Sequence, residues 1–374
     1  LEALTSFLAL PVVAPVWEFV RYGLTGWSAG AIVVFTLIAT HLTIIGVTVY
    51  LHRCQAHRAL ELHPLVSHPL RLWLWMSTGM VTREWAAVHR KHHAKCETEE
   101  DPHSPQTRGI GKVLWEGAEL YRDAIKDAEL VERYGHGAPD DWIERHVYTR
   151  HSALGVSLML MIDVLLFGVV GAAVWAVQMA WIPFLAAGVI NGIGHFWGYR
   201  NFKSPDTSRN IFPWGILIGG EELHNNHHTF ATSPKLSSKW YEFDIGWMYI
   251  RLLSMVGLAK PRALPAEMVL DPARNEIDAD TVEAVISHKY ELMALLSKSF
   301  KTHVRRAQFQ PAAVEKWTEL RKEFEAMWSR RHLSVEQAVS NLQSWCNRAE
   351  ASGIAALADF SKRLRMVSPR RAVA

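Results

Sequence analysis

From Ala29 to Leu51 the chain runs 23 residues without a formal charge, counting His41 as neutral. A helix of that length reaches about 34 Å at ~1.5 Å per residue, enough to cross the apolar core of a bilayer. A second apolar block, Ser152 to Gly198, carries one formal charge, Asp163. It is long enough for two spans, with a tight turn expected between Val170 and Gln178. Ser6 to Val20 is apolar too, but Pro11 and Pro15 interrupt it. It reads as either a short extra span or a helix lying in the interface, and it lacks the basic start and cleavage site of a signal peptide. These segments set the expected fold class: all-α, with integral membrane helices, three clear spans and a candidate fourth.

Charge gives the orientation. Arg53 and Arg58 follow the first long span, Arg145 and Arg150 precede the second block, and Arg200, Lys203 and Arg209 follow it. The turn inside that block has no Lys or Arg. Positively charged flanks favour the cytoplasm, so an inner-membrane protein of bacterial type, with these flanks cytoplasmic, is expected. The net charge of +3 over 374 residues is small, and the basic residues read as topology rather than as a nucleic-acid surface. Cys54, Cys96 and Cys346 form neither a disulfide framework nor a metal-ligand spacing, which suits a reducing compartment.

Between the apolar segments the chain becomes mixed. Leu70 to Val81 is apolar but short for a span, and Trp73, Trp75 and Trp85 suit a helix at the level of the lipid headgroups. Asp101-Pro102 and Ser104-Pro105 mark a loop. Leu114 to Leu130 and Asp141 to Arg150 read as polar helices of a cytoplasmic cap. Past Pro261 and Pro265 the composition changes: Thr281–Phe300, Ala312–Trp328 and Val335–Arg348 show helical spacing of apolar residues, and Gly353 precedes a last helix, Ile354 to about Met366. The expected division is residues 1–260, membrane body with cap, and 261–374, a soluble helical tail folded against the cytoplasmic face.

At the edges of the apolar segments stand three histidine sets: His52 and His57, then His89, His92 and His93, then His224, His227 and His228. Residues at i, i+3 and i+4 share one face of a helix, so each triplet can aim its imidazoles at one point. His52 and His57, five apart, converge more easily if the helix ends or bends between them. His195 adds another imidazole at the end of the second block, with Asn191 four residues earlier on the same face. Three solvated histidine faces on one side of a membrane are improbable, and imidazole suits iron, zinc, copper and nickel. A shell for more than one metal ion is the better reading. His41 reads as a hydrogen-bonded packing residue, His63 and His68 as interface loop positions, and His103 as a tie between loop and site. The other six, from His136 through His332, read as isolated surface residues.

The sets and their neighbours resemble the integral-membrane fatty-acid desaturases, in particular the Δ9 acyl branch (stearoyl-CoA desaturase-like). The matching stretches are HRCQAHR at 52–58, EWAAVHRKHH at 84–93, Glu97-Thr98 with Asp101-Pro102-His103, Asn191-x3-His195-x2-Gly198, and GEELHNNHHTF at 220–230. The resemblance implies a histidine-box di-iron centre, two Fe ions held by His52, His57, His89, His92, His93, His195, His224, His227 and His228, with Asn191 acting through a water. It implies four spans beneath a cap. Glu222 and Asn226 depart from the family's usual Gly and aromatic residue. Ala87 stands where animal acyl-CoA enzymes carry an arginine that contacts coenzyme A, which leaves acyl-CoA and acyl-lipid substrates both open.

An alkyl C–H has no useful acidity, so side-chain acids and bases cannot remove two hydrogens from a methylene pair; the oxidising power must come from a cofactor. The expected reaction is O2-dependent formation of a cis double bond, Δ9 by resemblance, in a long-chain fatty acyl group. Glu84, Glu97, Asp101 and Glu221 are candidates to orient the imidazoles, and Trp85 to line an acyl tunnel. No Gly-rich dinucleotide fingerprint follows a predicted strand, and no haem or flavin signature occurs. Electrons are therefore expected from a separate ferredoxin- or cytochrome-like donor with its NAD(P)H reductase. A hydroxylase, an acetylenase and a terminal-alkene-forming decarboxylase are the nearest alternatives. A metal transporter would place histidines along a path near the midplane. A zinc hydrolase would show three ligands and commonly His-Glu-x-x-His.

Overall fold

The computed structural model describes residues 13–265, 267–289, 291–293, 295–297, 311–327 and 334–370. It separates into two compact units, one built on residues 13–201 and 206–262 and the other mainly on the described residues from 263 onward.

In the first unit, α1 (Val13–Tyr22) is ten residues long; the start of the apolar Ser6–Val20 segment lies outside the described residues. α2 (Ala29–Ile45) starts at Ser28, whose hydroxyl accepts from the amide of Ala31. It continues as a π-helix, Gly46–Ala56, giving an unbroken helical run of 28 residues. Thr36, Thr40 and Thr43 donate to carbonyls one turn back, which satisfies their hydroxyls inside an apolar helix. A short strand, β1 (Leu60–Leu62), leads to α3 (Pro64–Thr78), which opens with a proline at its first turn and stops at Gly79, φ +65°. The expected interface helix thus begins six residues before Leu70.

α4 (Thr82–Lys95), α5 (Pro105–Arg108), α6 (Ile110–Ala124) and α7 (Ala128–Tyr134) follow. The single polar helix expected over Leu114–Leu130 is therefore two, because Asp127 caps a new start with its side chain on the amide of Leu130. Within Asp141–Arg150 the regular part is a π-turn, Glu144–Tyr148.

α8 (Ser152–Phe167) and α9 (Val170–Ile182) form an apolar hairpin, and α9 runs on into a second π-helix, Pro183–Ile193. The turn sits at Gly168 and Val169, not within Val170–Gln178. Gly168 takes φ +66°, a conformation only glycine adopts cheaply, and its following residues wind straight into helix. Gly155 lets α8 seat on α3, since a Cβ there would stand 2.4 Å from the Trp75 carbonyl oxygen. Among the described residues two helices, Ala29–Ala56 and Val170–Ile193, are long and apolar enough to cross a membrane; Ser152–Phe167, at 16 residues, is shorter. Beyond them come β2 (Trp214–Gly215), α10 (His224–Thr229), β3 (Phe243–Asp244), α11 (Ile245–Met255) and β4 (Ala259–Pro261). β1 pairs antiparallel with β4, and β2 parallel with β3.

The second unit holds β5 (Glu267–Leu270), α12 (Ala279–Ser287), α13 (Pro311–Met327), α14 (Val335–Ala351), α15 (Ala355–Arg365) and β6 (Val367–Arg370). Reciprocal capping boxes start α12 at Asp278–Thr281 and α14 at Ser334–Gln337. α12 ends at Ser287 with a turn at His288, and the described residues 289, 291–293 and 295–297 are again helical; residues 298–300 of the expected Thr281–Phe300 lie outside those described, as do His303 and His332. The antiparallel β5–β6 pair was not expected from the apolar spacing. Trp345, Phe324 and Phe360 form the centre of this unit's core, with ring centroids 4.9–6.0 Å apart.

Candidate metal centre

The first π-helix explains how residues five apart converge. Its turn closes with the amide of His57 donating to the carbonyl of His52, 3.0 Å. An i→i+5 winding brings both imidazoles to one face, and their rings lie 4.8 Å apart. α4 supplies His89, His92 and His93, α10 supplies His224, His227 and His228, and the end of the second π-helix leads to His195.

These nine side chains form two groups, one of His52, His57, His89, His93 and His227 and one of His92, His195, His224 and His228. Within each group the nearest ring nitrogens lie within 4.8 Å of one another. Each helical triplet is divided: the i, i+4 pairs His89/His93 and His224/His228 stay together, while His92 and His227 turn to the other group. His93 stacks on His228 at 4.3 Å, so the groups are adjacent.

Four imidazoles carry a carboxylate at Nδ1. Glu221 meets His52 at 2.8 Å, Asp101 meets His92 at 3.0 Å, Asp206 meets His228 at 3.3 Å and Glu97 meets His195 at 3.5 Å. A carboxylate there places the proton on Nδ1 and leaves the Nε2 lone pair to point inward. The carboxylates are themselves held. Glu221 accepts from the Thr48 hydroxyl at 2.6 Å, Asp101 from the amides of Glu97 and His103 at 2.8 and 3.1 Å, and Glu97 from both the amide and the hydroxyl of Thr207. Glu97 adopts φ +63°, an uncommon backbone for a non-glycine residue, and the hydrogen bond its backbone N–H donates to the Asp101 carboxylate helps hold it there. Of the four carboxylates read from sequence, three touch imidazoles. Glu84 does not: it faces a cavity. Asp206 was missed; it stands in a Ser-Pro-Asp-Thr-Ser turn with no helical register to His228.

Burial, reinforced by the mutual repulsion that protonating such crowded histidines would bring, holds His57, His89, His93, His224, His227 and His228 well below the ordinary histidine range. Burial also lowers His195, against the pull of Glu97, and brings His103 down to about 3. Asp101 is lowered too: burial raises its carboxyl, but the charge and hydrogen bond of His92 outweigh that and leave it well below the usual carboxylate range. Neutral imidazoles and ionised carboxylates are the protonation states a metal shell requires.

The contacts between imidazoles test whether a metal fits. Nε2 faces Nε2 at 2.7 Å in His57–His89, 2.9 Å in His93–His227, 3.1 Å in His52–His227, 3.0 Å in His195–His224 and 3.2 Å in His92–His195. Facing lone pairs of neutral rings repel unless a cation or a proton lies among them. Nitrogens bound to one ion at ~2.1 Å sit about 3 Å apart when adjacent. His228 Nε2 is buried with no hydrogen-bond partner. The donor set fits metal ions.

A cavity of about 460 Å³ has His52, His89, His224 and Asn191 in its wall, with Trp85, Met80, Ile182 and Ile190 among its apolar lining. Trp85 stacks on His89 at 5.1 Å with rings 7° from parallel. The size lies in the range of small-molecule sites. Ala87 is fully buried, and with Val88 and Leu130 forms an apolar cluster against Tyr121 and Ile125. His103 packs on His92, ring centroids 4.5 Å apart, and also reaches the cavity.

Two departures also find roles. Asn226 is buried, accepts from Asn201 and Asn210 at 2.8 and 3.0 Å and donates to Glu242 and the Leu236 carbonyl at 2.8 and 3.0 Å. Glu222 accepts from the amides of Ile218 and Gly220, at 2.8 and 3.1 Å, tightening the turn before α10. Both brace the third cluster's loop. Arg53, read from sequence as a basic flank of the first span, is instead 1 % exposed, grips Asp244 through both terminal nitrogens at 2.9 and 3.0 Å and also bonds the carbonyls of Gly219 and Pro234.

Fold and site together define a helical enzyme with apolar helices long enough for a membrane and a buried histidine centre opening on an apolar cavity. The chain belongs to the fatty acid desaturase family, whose model matches residues 26–245; it is an oxidoreductase of lipid metabolism. Members of that family are generally membrane-associated, di-iron and O2-dependent. The chain is 29 % identical over 260 residues to Delta-9 desaturase-like 5 protein of Arabidopsis thaliana, covering 67 % of this chain and 79 % of that protein. It is 28 % identical over 237 residues to Delta-9 acyl-lipid desaturase 2 of the same plant, covering 60 % and 72 %. Over the same length it is also 28 % identical to the sn-1 stearoyl-lipid 9-desaturase of a Synechocystis strain, covering 60 % and 70 %.

Proposed function

We propose that this enzyme is a membrane di-iron desaturase that places a cis double bond at Δ9 of a long-chain acyl group carried on a lipid. The observation that carries the reading is the pair of histidine groups in contact with an apolar cavity. One iron would be held by His52, His57, His89, His93 and His227, and the other by His92, His195, His224 and His228, with Asn191 a candidate to complete that smaller set through a water.

When bound, the iron pair supplies the oxidising power, consuming O2, two electrons and two protons to convert a methylene pair into a double bond and two waters. The chain's own residues position and protect. Glu221, Asp101, Asp206 and Glu97 fix the imidazole tautomers. Trp85 and the apolar wall orient the acyl chain and exclude water. Ala87 is buried in an apolar cluster where the animal acyl-CoA enzymes carry an arginine, which favours an acyl-lipid substrate, as do the relatives' names. Electrons come from a ferredoxin- or cytochrome-like donor. A cytoplasmic centre is the reading that the basic residues flanking the long helices support.

The test is expression in a cell deprived of unsaturated fatty acids, followed by lipid and metal analysis. Growth rescue, a Δ9 cis product and two irons per chain are expected. Hydroxylated, acetylenic or terminal-alkene products, or a chain without a metal pair, would overturn the reading.

A further inference from the structure

The helix α11 plays no direct part in the proposed chemistry, yet its surroundings are unusual. Ile250 is fully buried, and Trp247 and Leu253 join it against Ile45, Val49 and Cys54 of the long first helix. The Tyr249 hydroxyl meets His41 Nε2 at 2.9 Å, near the middle of the uncharged run Ala29–Leu51. The loop before α10 docks on the same helix. A Cβ on Gly219 would stand 2.7 Å from Thr48 and 3.0 Å from Ile44, and the Thr48 hydroxyl donates to the Gly219 carbonyl at 3.0 Å. Both elements therefore lie beside residues 41–49, where the helix is apolar.

Apart from Arg251, which is exposed, their outward side chains are apolar as well. Met248, Leu252 and Met255 fall on one stripe at i, i+4 and i+7, exposed by 36 %, 52 % and 77 %, with Val256 at 68 % and Leu217 at 76 %. Arg251, the one charged residue of α11, stands 5.9 Å from the Trp247 ring centroid. One turn before His41, on the same face of the first helix, Leu37 and Ile38 are exposed by 55 % and 64 %. The stripe thus continues the outward face of the first helix. A contiguous exposed patch of this kind marks an interaction surface.

We infer that α11, with the loop tip at Leu217, is embedded in the lipid hydrocarbon of the leaflet nearest the metal centre, as an anchor that enters but does not cross. The inference rests on reading Ala29–Ala56 as a span. It ties lipid to the site at two points. Asp244 caps α11 on the Trp247 amide at 2.9 Å while gripping Arg53, the neighbour of His52. Glu221, two residues after Gly219, bonds His52 itself.

The full chain in phospholipid nanodiscs, photolabelled by a phospholipid with a diazirine in its acyl chain and mapped by mass spectrometry, tests this. Residues 248–256 should be labelled to within about threefold of residues 29–38, and a water-soluble diazirine should spare Met255. Labelled 29–38 with unlabelled 248–256 would overturn the inference and leave the span intact. Absence of lipid label from both would overturn the span reading and the inference with it. Crosslinks between two copies from a photoreactive residue at position 255, in place of lipid adducts, would assign the stripe to a dimer and overturn the inference.

Discussion

Among the described residues both units bury apolar side chains, but only the first also buries a dense cluster of ionisable ones. The second unit encloses Trp345, Phe324, Phe360, Leu342 and Leu320, and the Trp345 indole finds a carbonyl, that of Leu320, at 2.8 Å. The first unit encloses His52, His92, His195, His224, His227, Asp101, Glu221 and Arg53, each 8 % exposed or less. Burying apolar area stabilises by about 25 cal/mol per Å². Burying polar groups costs stability unless each is paired. The histidine centre is therefore a place where stability yields to function, and its web of carboxylates and threonines limits that cost. Substitutions in the second unit should act mainly on folding, and those at the centre mainly on metal and turnover.

The largest effect should come from His227→Ala, which removes a ring contacting His52 and His93 at 3.1 and 2.9 Å. Activity should fall at least a hundredfold and iron content should drop below two per chain, with yield of folded protein retained. Product analysis and metal quantification on the same sample check both. Near-normal iron with normal activity would dissolve the contrast between the units.

Asp101→Asn keeps the shape of the side chain but removes the charge facing His92. Loss of such an outer partner typically costs about 10–100-fold in metal affinity, so iron should be retained only at high supply. Titrating iron into variant and parent under anaerobic conditions measures the shift. Asp206→Asn should follow the same pattern more weakly, because its contact with His228 is longer at 3.3 Å.

The histidine triplets were legible because i, i+3 and i+4 positions share a face whatever the tertiary structure. Their division into groups of five and four was not, since it depends on how α4 and α10 face each other. The π-winding at Gly46–Ala56 leaves no mark in composition; only the awkward spacing of His52 and His57 hinted at it. The turn at Gly168 did carry a signal in that glycine, obscured by the apolar residues on either side. Asp206 was hidden because a loop can carry a carboxylate to a site with no periodicity at all. In the second unit the helices were legible from their apolar spacing, whereas pairing β5 with β6 joins residues about a hundred apart in sequence.

Trp345→Ala turns the comparison around. Removing a fully buried Trp should cost about 3–5 kcal/mol, read as a lower denaturation midpoint of the second unit by near-ultraviolet circular dichroism. Iron per folded chain should stay unchanged. A variant that loses iron in proportion to that unit's stability would show that the two units do not separate folding from chemistry.

Glu84→Gln is expected to do least among the centre's neighbours. Glu84 sits one residue from Trp85 in a stretch rich in metal-facing side chains, and by sequence it ranks with Asp101. In the structure it lines the cavity and makes no bond to an imidazole. Burial raises its carboxyl above the ordinary range, so its folded form contributes less stability as pH rises through that raised value, and Gln should relieve the cost. Iron content should match the parent, thermal stability at neutral pH should be equal or slightly higher, and turnover should change by less than about threefold. The sign follows from linkage: a raised carboxyl binds its proton more tightly folded than unfolded, so stability falls with rising pH between the two values. A ten-fold loss of iron in this variant would place Glu84 with the carboxylates that orient the histidines.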